Sequence, residues 1–259
     1  MLIVFSGTGN SLRVARELQR HAGGETVILG GERLLNPGKE TLEVTEEGEP
    51  VIWVMPVYSW GIPPVMERFI SKVRFKGAPQ CPHYVVLTCG DDIGYADNCW
   101  RKLVGRRGWT PRGSFSVAMP NTYVCMKGFD VDSTDIEAGK MAAMPGRVEE
   151  IASAIKRKFS DDDVVRGAGA WWKTYLIRPF FNAFCTSPHK FRASDRCTGC
   201  STCALSCPMD NITMKDSRPA WGRDCAFCLR CYHICPHHAV EYGDTTLHKG
   251  QKQVFRSDL

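Results

Sequence analysis

Along the first 160 residues the apolar positions form short unbroken runs, and the stretches between them carry apolar residues at helical spacing. Val51-Ile-Trp-Val-Met55 has no polar alternation, the pattern of a central strand covered on both faces. Residues 2–5, 25–29, 84–89 and 114–119 predict four further strands, and residues 10–21, 64–73, 92–107 and 135–159 predict helices. Alternation of the two element types predicts βαβ units. Right-handed connections then give a three-layer, doubly wound α/β domain around a parallel sheet.

The pattern breaks at Ser160-Asp-Asp-Asp163 and again at Gly167-Ala-Gly169, which predicts the end of the first domain near residue 160. The expected organisation is 1–160 for that domain, 161–189 for an aromatic-rich connector, 190–245 for a small cysteine-rich domain and 246–259 for a polar tail. The connector holds Trp171-Trp-Lys-Thr-Tyr-Leu-Ile177 and Phe180-Phe-Asn-Ala-Phe184, whose apolar residues are poorly placed in water. A helix packed between the two modules is the expectation, with a partner or membrane-surface contact as the alternative. Lys173, Arg178 and Pro179 interrupt this stretch, which therefore falls short of the roughly 18 apolar residues of a membrane span.

Composition narrows the class. With 259 residues, 43% hydrophobic and 24% charged, the chain is that of an ordinary globular protein with room for two modules. The N-terminal Met1-Leu-Ile-Val-Phe5 runs straight into Ser6-Gly-Thr-Gly-Asn10 without the basic leader and cleavage site of an export signal, so a cytoplasmic location is expected. Thirteen cysteines in such a chain point to metal or redox chemistry rather than to disulfides. The net charge of +5 comes from scattered Lys and Arg with no dense basic run, and nucleic-acid binding is not expected.

Cysteine spacing gives the sharpest signal. Residues 197–208 and 225–236 both read C-x2-C-x2-C-x3-C-P. In this run three cysteines wrap one corner of a 4Fe-4S cubane, and the fourth, redirected by the proline, reaches the neighbouring cluster. Cys197, Cys200, Cys203 and Cys235 are therefore expected on one cluster, and Cys225, Cys228, Cys231 and Cys207 on the other. Zinc sites also use C-x2-C pairs, but two full quartets with trailing prolines favour cubanes. The repeat resembles the bacterial dicluster ferredoxins over residues 190–245. Cys81, Cys89, Cys99, Cys125 and Cys185 lie outside both motifs and read as small buried residues.

The first strand ends in Ser6-Gly7-Thr8-Gly9-Asn10-Ser11, immediately before a helix, which makes a ready anion site. It is neither a Walker loop nor a G-x-G-x-x-G fingerprint. A plain turn is the alternative for the loop taken alone. It resembles the FMN phosphate loop of flavodoxins, whose T/S-x-T-G-x-T/S pattern is met by Ser6, Thr8, Gly9 and Ser11. Strand order 2-1-3-4-5 would bring two more strand ends to the same switch point. These are Pro56, Val57, Tyr58, Ser59, Trp60 and Gly61, and Thr88, Cys89, Gly90 and Tyr95. Tyr58, Trp60 and Tyr95 are expected to sandwich a flavin ring, with backbone groups near Gly61 and Gly90 on its polar edge and Cys89 at its rim.

As a whole the chain resembles the flavodoxin/ferredoxin fusion proteins of anaerobic microbes, a family of iron-sulfur flavoproteins. The resemblance implies a flavodoxin-like domain with FMN and a small α+β ferredoxin domain with two 4Fe-4S clusters. Bound clusters and a flavin phosphate would add about −2 each and bring the loaded protein near neutrality. No acid, base or nucleophile constellation stands out in the loops. The expected function is electron transfer between clusters, FMN and redox partner proteins. The alternatives are a flavin-dependent oxidoreductase acting on a quinone or nitro compound, and a cluster-bearing sensing or binding protein without flavin.

Overall fold

The computed structural model describes residues 1–44, 48–77, 81–252 and 254. Six strands form a parallel sheet: β1 (Leu2–Val4), β2 (Thr26–Ile28), β3 (Val51–Pro56), β4 (Pro82–Cys89), β5 (Thr110–Ala118) and β6 (Asp162–Asp163). Their spatial order is 2-1-3-4-5-6, which is the flavodoxin-like arrangement with one edge strand added. Four helices cover the sheet: α1 (Asn10–Ala22), α2 (Pro64–Lys72), α3 (Ala96–Arg106) and α4 (Thr134–Lys156).

Strand β3 shows why the apolar runs are continuous. Val51, Trp53 and Met55 pack with Met66, Phe69, Trp100 and Val104 of α2 and α3. Ile52 and Val54 pack on the other face with Leu12, Leu18, Val148 and Ile151 of α1 and α4. Every position is buried whichever way it points, so alternation has nothing to report. Each such side chain contributes about 1.5–3 kcal/mol relative to leaving it exposed. The Trp53 indole N–H is buried as well and donates to His83 Nδ1 at 3.0 Å.

The sheet continues past residue 160, where the acidic run predicts a break. Asp162 and Asp163 pair in parallel with Ser114 and Phe115. Their carboxylates are neutralised by Arg101, by Arg166 and, at 2.7 Å, by Arg147, so ion pairing holds an edge strand that hydropathy would not suggest. A small parallel pair, Thr41–Val44 with Arg74–Gly77, adds Leu42 and Val44 to the core under α2.

The C-terminal unit has two antiparallel pairs. Strand β7 (Phe191–Ala193) joins β10 (Val240–Tyr242), and β8 (Ile212–Lys215) joins β9 (Arg218–Trp221). Its core is small and includes Cys203, Cys231 and Cys235 beside Phe191, Leu229 and Tyr242. Val124 and Cys125, from the long loop after β5, complete that core, so the two units are interleaved rather than strung in line.

Residues 170–184 are helical with a π turn at Lys173–Ile177. They pack between the units only in part: Lys173, Ile177 and Phe181 reach the cavity that the units share, but Trp171, Trp172, Leu176, Ile177, Phe180 and Phe184 are all exposed. No helix among the described residues is long and apolar enough to cross a membrane. The segment expected to be a polar tail lies partly outside the described residues. Within them Thr246 and Lys252 are buried, and Lys252 Nζ reaches Asn10 Oδ1 at 2.8 Å.

Candidate functional site

The first loop is shaped by its own polar groups. Gly9, with φ of 95°, turns the chain into α1, a left-handed conformation natural to glycine. Gly9 N–H donates to Ser6 Oγ at 3.1 Å, and Ser11 Oγ meets Thr88 Oγ1 at 2.8 Å, tying the first turn of α1 to the end of β4. Helix α1 has no acidic residue in its first turn, so its free N–H groups and positive dipole end face the loop unopposed.

A cavity of about 970 Å³ opens at the carboxyl ends of β1, β3 and β4. It is lined by Ser6, Gly7, Thr8, Asn10 and Ser11, by Pro56, Val57, Tyr58, Ser59 and Trp60, and by Thr88, Cys89 and Gly90. Gly9, Gly61 and Tyr95 do not line it. Tyr95 is a correction to the expected aromatic sandwich. Its ring stacks on Tyr175 at 5.9 Å, and the Arg166 guanidinium lies over it at 4.9 Å, so the connector has drawn it off the site. Gly61 faces the connector too, for a Cβ there would lie 1.9 Å from Arg178 Nε.

The second loop is a tight reversal in which Tyr58 and Gly61 exchange backbone hydrogen bonds of 2.8 and 3.1 Å. Ser59 and Trp60 between them have φ of 46° and 57°, both left-handed, which is costly for a tryptophan. The conformation is held from outside. Thr174 Oγ1 donates to Trp60 O at 2.8 Å, and the Lys173 ammonium sits 5.3 Å from the indole centroid.

Three walls of the cavity were not foreseen from the sequence. One is the loop after β5, with Asn121, Tyr123 and Phe129; another is the connector, with Lys173, Ile177 and Phe181. Asp132 orients Asn121, accepting from its N–H at 3.0 Å and its Nδ2 at 2.9 Å. Burial pushes the Asp132 carboxyl up, but Lys140 at 2.7 Å and Asn121 outweigh it and hold it below the usual range. The residue opposite Asn121 has to be glycine, because a Cβ on Gly90 would lie 1.7 Å from Asn121 Oδ1. The only advance signal of this wall was the apolar Tyr123-Val-Cys-Met126, too short to assign.

The third wall is the second cysteine motif: Cys225, Ala226, Phe227, Cys228 and Leu229 all line the same cavity. Gly7 presses against it, with its Cβ position 2.9 Å from Cys228 Cβ and 2.9 Å from Tyr58 Oη. Arg230 clamps the junction, donating to Ser6 O at 2.6 Å, Gly7 O at 2.5 Å and Ser206 O at 2.9 Å.

The two cysteine motifs share one backbone trace. Gly199 and Phe227, Ser201 and Leu229, and Asp210 and His238 are all left-handed, each pair 28 residues apart in number. The repeat extends to sulfur: Asn211 N–H donates to Cys207 Sγ at 3.5 Å and Ala239 N–H to Cys235 Sγ at 3.3 Å. Cys197, Cys200, Cys203 and Cys235 line one small cavity together, although Cys235 comes from the other motif. Cys207 lies close enough to Cys225, Cys228 and Cys231 to perturb the titration of all three.

Burial raises thiols in both quartets, Cys203 to about 11 in the first, and Cys200 alone is shifted the other way. Burial pushes Cys225 up to about 12 and raises Cys228 and Cys231, whereas the Thr202 hydroxyl and N–H hold the exposed Cys200 below its usual value. Among the described residues, no three Cys, His, Asp or Glu side chains close tightly enough to hold a single metal ion. Four thiolates around a cubane stand farther apart than four around one zinc, so this spacing is compatible with clusters. Burial, with Asp92 and Asp91 adding to it, also raises Cys89 to about 12, leaving a protonated thiol at the cavity wall.

Residues 196–240 match the family model described as a 4Fe-4S dicluster domain. The C-terminal unit is a dicluster ferredoxin domain. No curated protein matches the chain. Among solved structures, the azoreductase AzrA aligns with 59% of this chain and 99% of its own, at 12% identity and a TM-score of 0.35. The Trp repressor binding protein from Bacillus subtilis aligns with 56% of this chain and 95% of its own, at 12% identity and 0.32. The NAD(P)H:quinone oxidoreductase from Methanothermobacter marburgensis aligns with 58% and 94%, at 10% identity and 0.34. The fold assignment rests on the strand order of the sheet and not on these distant likenesses.

Proposed function

We propose that this protein relays electrons between two 4Fe-4S clusters in the ferredoxin domain and an FMN in the flavodoxin-like unit. One observation carries the reading: the cavity at the strand ends is walled on one side by the phosphate-type loop and on another by Cys225 and Cys228. A flavin there would lie against the protein that holds a cluster, with Gly7 and Tyr58 between them.

The residues fit both groups. Ser59 and Tyr123 line the cavity, and their hydroxyl oxygens are buried without a protein partner. The phosphate would take the N–H groups and hydroxyls of Ser6–Ser11 at the α1 terminus, and Trp60 and Tyr58 would border the ring. One cluster would take Cys197, Cys200, Cys203 and Cys235, the other Cys225, Cys228, Cys231 and Cys207. Clusters supply one-electron steps and the flavin one- or two-electron steps. The chain holds them at fixed separation, and Phe129, Ile177 and Phe181 give the cavity an apolar wall. That wall would also admit a flat acceptor, which makes reduction of a quinone or nitro compound the second reading.

Iron, sulfide and FMN content of one anaerobic preparation tests the proposal. About eight irons and one FMN per chain are expected from two cubanes and one flavin site. Four irons or fewer in a fully loaded sample overturns the cluster assignment, and failure to take up added FMN overturns the relay. Steady turnover of a quinone with reduced ferredoxin, lost on Thr8→Val, would select the second reading.

A further inference from the structure

The connector helix is built inside out. Its polar groups point into the protein: Lys173 pairs with Asp92 at 2.7 Å, and Arg178 donates to Ile62 O at 2.8 Å and pairs with Glu67 at 2.5 Å. Thr174 accepts from Tyr95 N–H at 2.9 Å and donates to Trp60 O. Its apolar side chains point out, and Trp171, Trp172, Leu176, Ile177, Phe180 and Phe184 are each between 48% and 67% exposed. An ordinary surface helix does the reverse, burying its apolar stripe. Ion pairs therefore fix this helix so that a contiguous apolar face must meet something other than water.

Charge identifies the occupant. Residues 164–194 contain no Asp or Glu; of their cations Arg166, Lys173, Arg178 and Arg192 pair with carboxylates from elsewhere in the chain, which leaves Lys190. At the edge of the helix Lys102 is exposed and lies 5.7 Å from the Tyr175 ring centroid; beyond its end Lys190 is exposed too. Neither makes an ion pair among the described residues. A second copy of this chain would add a second set of these unpaired lysines around the same face and is disfavoured. The combination of an outward apolar face with two tryptophans, flanking unpaired lysines and neighbouring carboxylates already neutralised by Lys173 and Arg178 matches the headgroup region of an anionic bilayer, where helices of this kind lie in the plane.

We propose that residues 170–184 form an in-plane membrane-surface helix that seats this protein on an anionic lipid bilayer. Lys173, Ile177 and Phe181 also wall the large cavity, so seating would place one side of that cavity at the lipid boundary. The proposal stands whether or not a flavin occupies the cavity.

Co-sedimentation of the full-length protein with vesicles tests it, using phosphatidylcholine alone and phosphatidylcholine with phosphatidylglycerol. Binding to the anionic vesicles is expected to exceed binding to neutral ones by at least about tenfold and to weaken in high salt. Trp172→Glu with Phe180→Glu should abolish it. The ring contacts of these two side chains are with Trp171 and Phe184 of the same helix, so iron content and melting should be unchanged. Lys102→Gln and Lys190→Gln should each weaken binding by roughly fivefold. Absence of vesicle binding overturns the proposal, as does binding indifferent to the double substitution. A dimer in sedimentation velocity that the double substitution dissolves, without vesicle binding, would assign the face to a second copy and overturn it too.

Discussion

The two halves of this molecule solve the problem of a stable core in opposite ways. The flavodoxin-like unit buries strands on both faces, and Ile3, Val4, Trp53, Val54, Val85 and Val86 have no measurable exposure. The ferredoxin unit has few such residues, and Cys203, Cys231 and Cys235 occupy its centre. Burial raises the thiols of Cys225, Cys228 and Cys231, which is unfavourable for the thiolates that a cluster requires unless the metal is there to hold them. One half is held by its hydrocarbon, and the other is arranged around what it binds. Where they touch, Arg230 belongs to the second and fastens the first loop of the other.

Removing metal should separate the halves most sharply. Anaerobic chelation should melt the ferredoxin unit while far-UV circular dichroism keeps the helices of the α/β unit. Cys228→Ala should lower iron from about eight to about four per chain. If chelation leaves the amide exchange of residues 191–242 unchanged, the comparison fails. The converse comes from Trp53→Ala, which should cost the α/β unit about 3–5 kcal/mol in denaturant melts, with iron content retained. Arg230→Met, at the junction, should cost about 2–3 kcal/mol by stranding three partly buried carbonyls. It should also move the cluster nearest the cavity to more negative potential in an electron paramagnetic resonance titration and leave the other unmoved.

Acid should test both halves, because burial lowers His83 in the first and His233 in the second to about 4. Burial lowers His83 to about 4, so between that value and the ordinary 6.5 the unfolded chain binds a proton that the folded one refuses. Stability contributed by neutral His83 is full above pH 6.5 and falls towards pH 4 by about 1.4 kcal/mol per pH unit. Denaturant midpoints against pH should show this slope, and His83→Gln should reduce it to the part that His233 contributes. The smallest effect is expected at Cys200, the exposed cysteine of its quartet. Thr202→Val removes the hydroxyl beside Cys200 Sγ at 3.4 Å, costs about 0.5 kcal/mol, and makes the outer cluster slightly harder to reduce.

Legibility followed the range of the interactions. The loop Ser6–Ser11 and the strand ends at Pro56 and Thr88 were readable because a strand, a glycine turn and a helix start are set by neighbours in sequence. Tyr95 was misplaced because its partners, Arg166 and Tyr175, stand 71 and 80 positions away and no local rule connects them. The edge strand at Asp162–Asp163 was hidden for the same reason, its acidic residues being neutralised by arginines of α3 and α4. The connector was correctly seen as apolar and helical, but the side it turns outward depends on Lys173 and Arg178 finding Asp92 and Glu67.

By itself the sequence determined the doubly wound sheet, through apolar runs of strand length, and the eight-cysteine repeat, through spacings no longer than four residues. Tertiary structure decided which quartet looks into the large cavity, what walls that cavity beyond the first three loops, and which face of the connector meets solvent. The division has a physical cause. Backbone conformation and short cysteine spacings are governed by near neighbours, whereas burial and ion pairing join groups as far apart as Arg230 and Ser6, 224 positions along the chain.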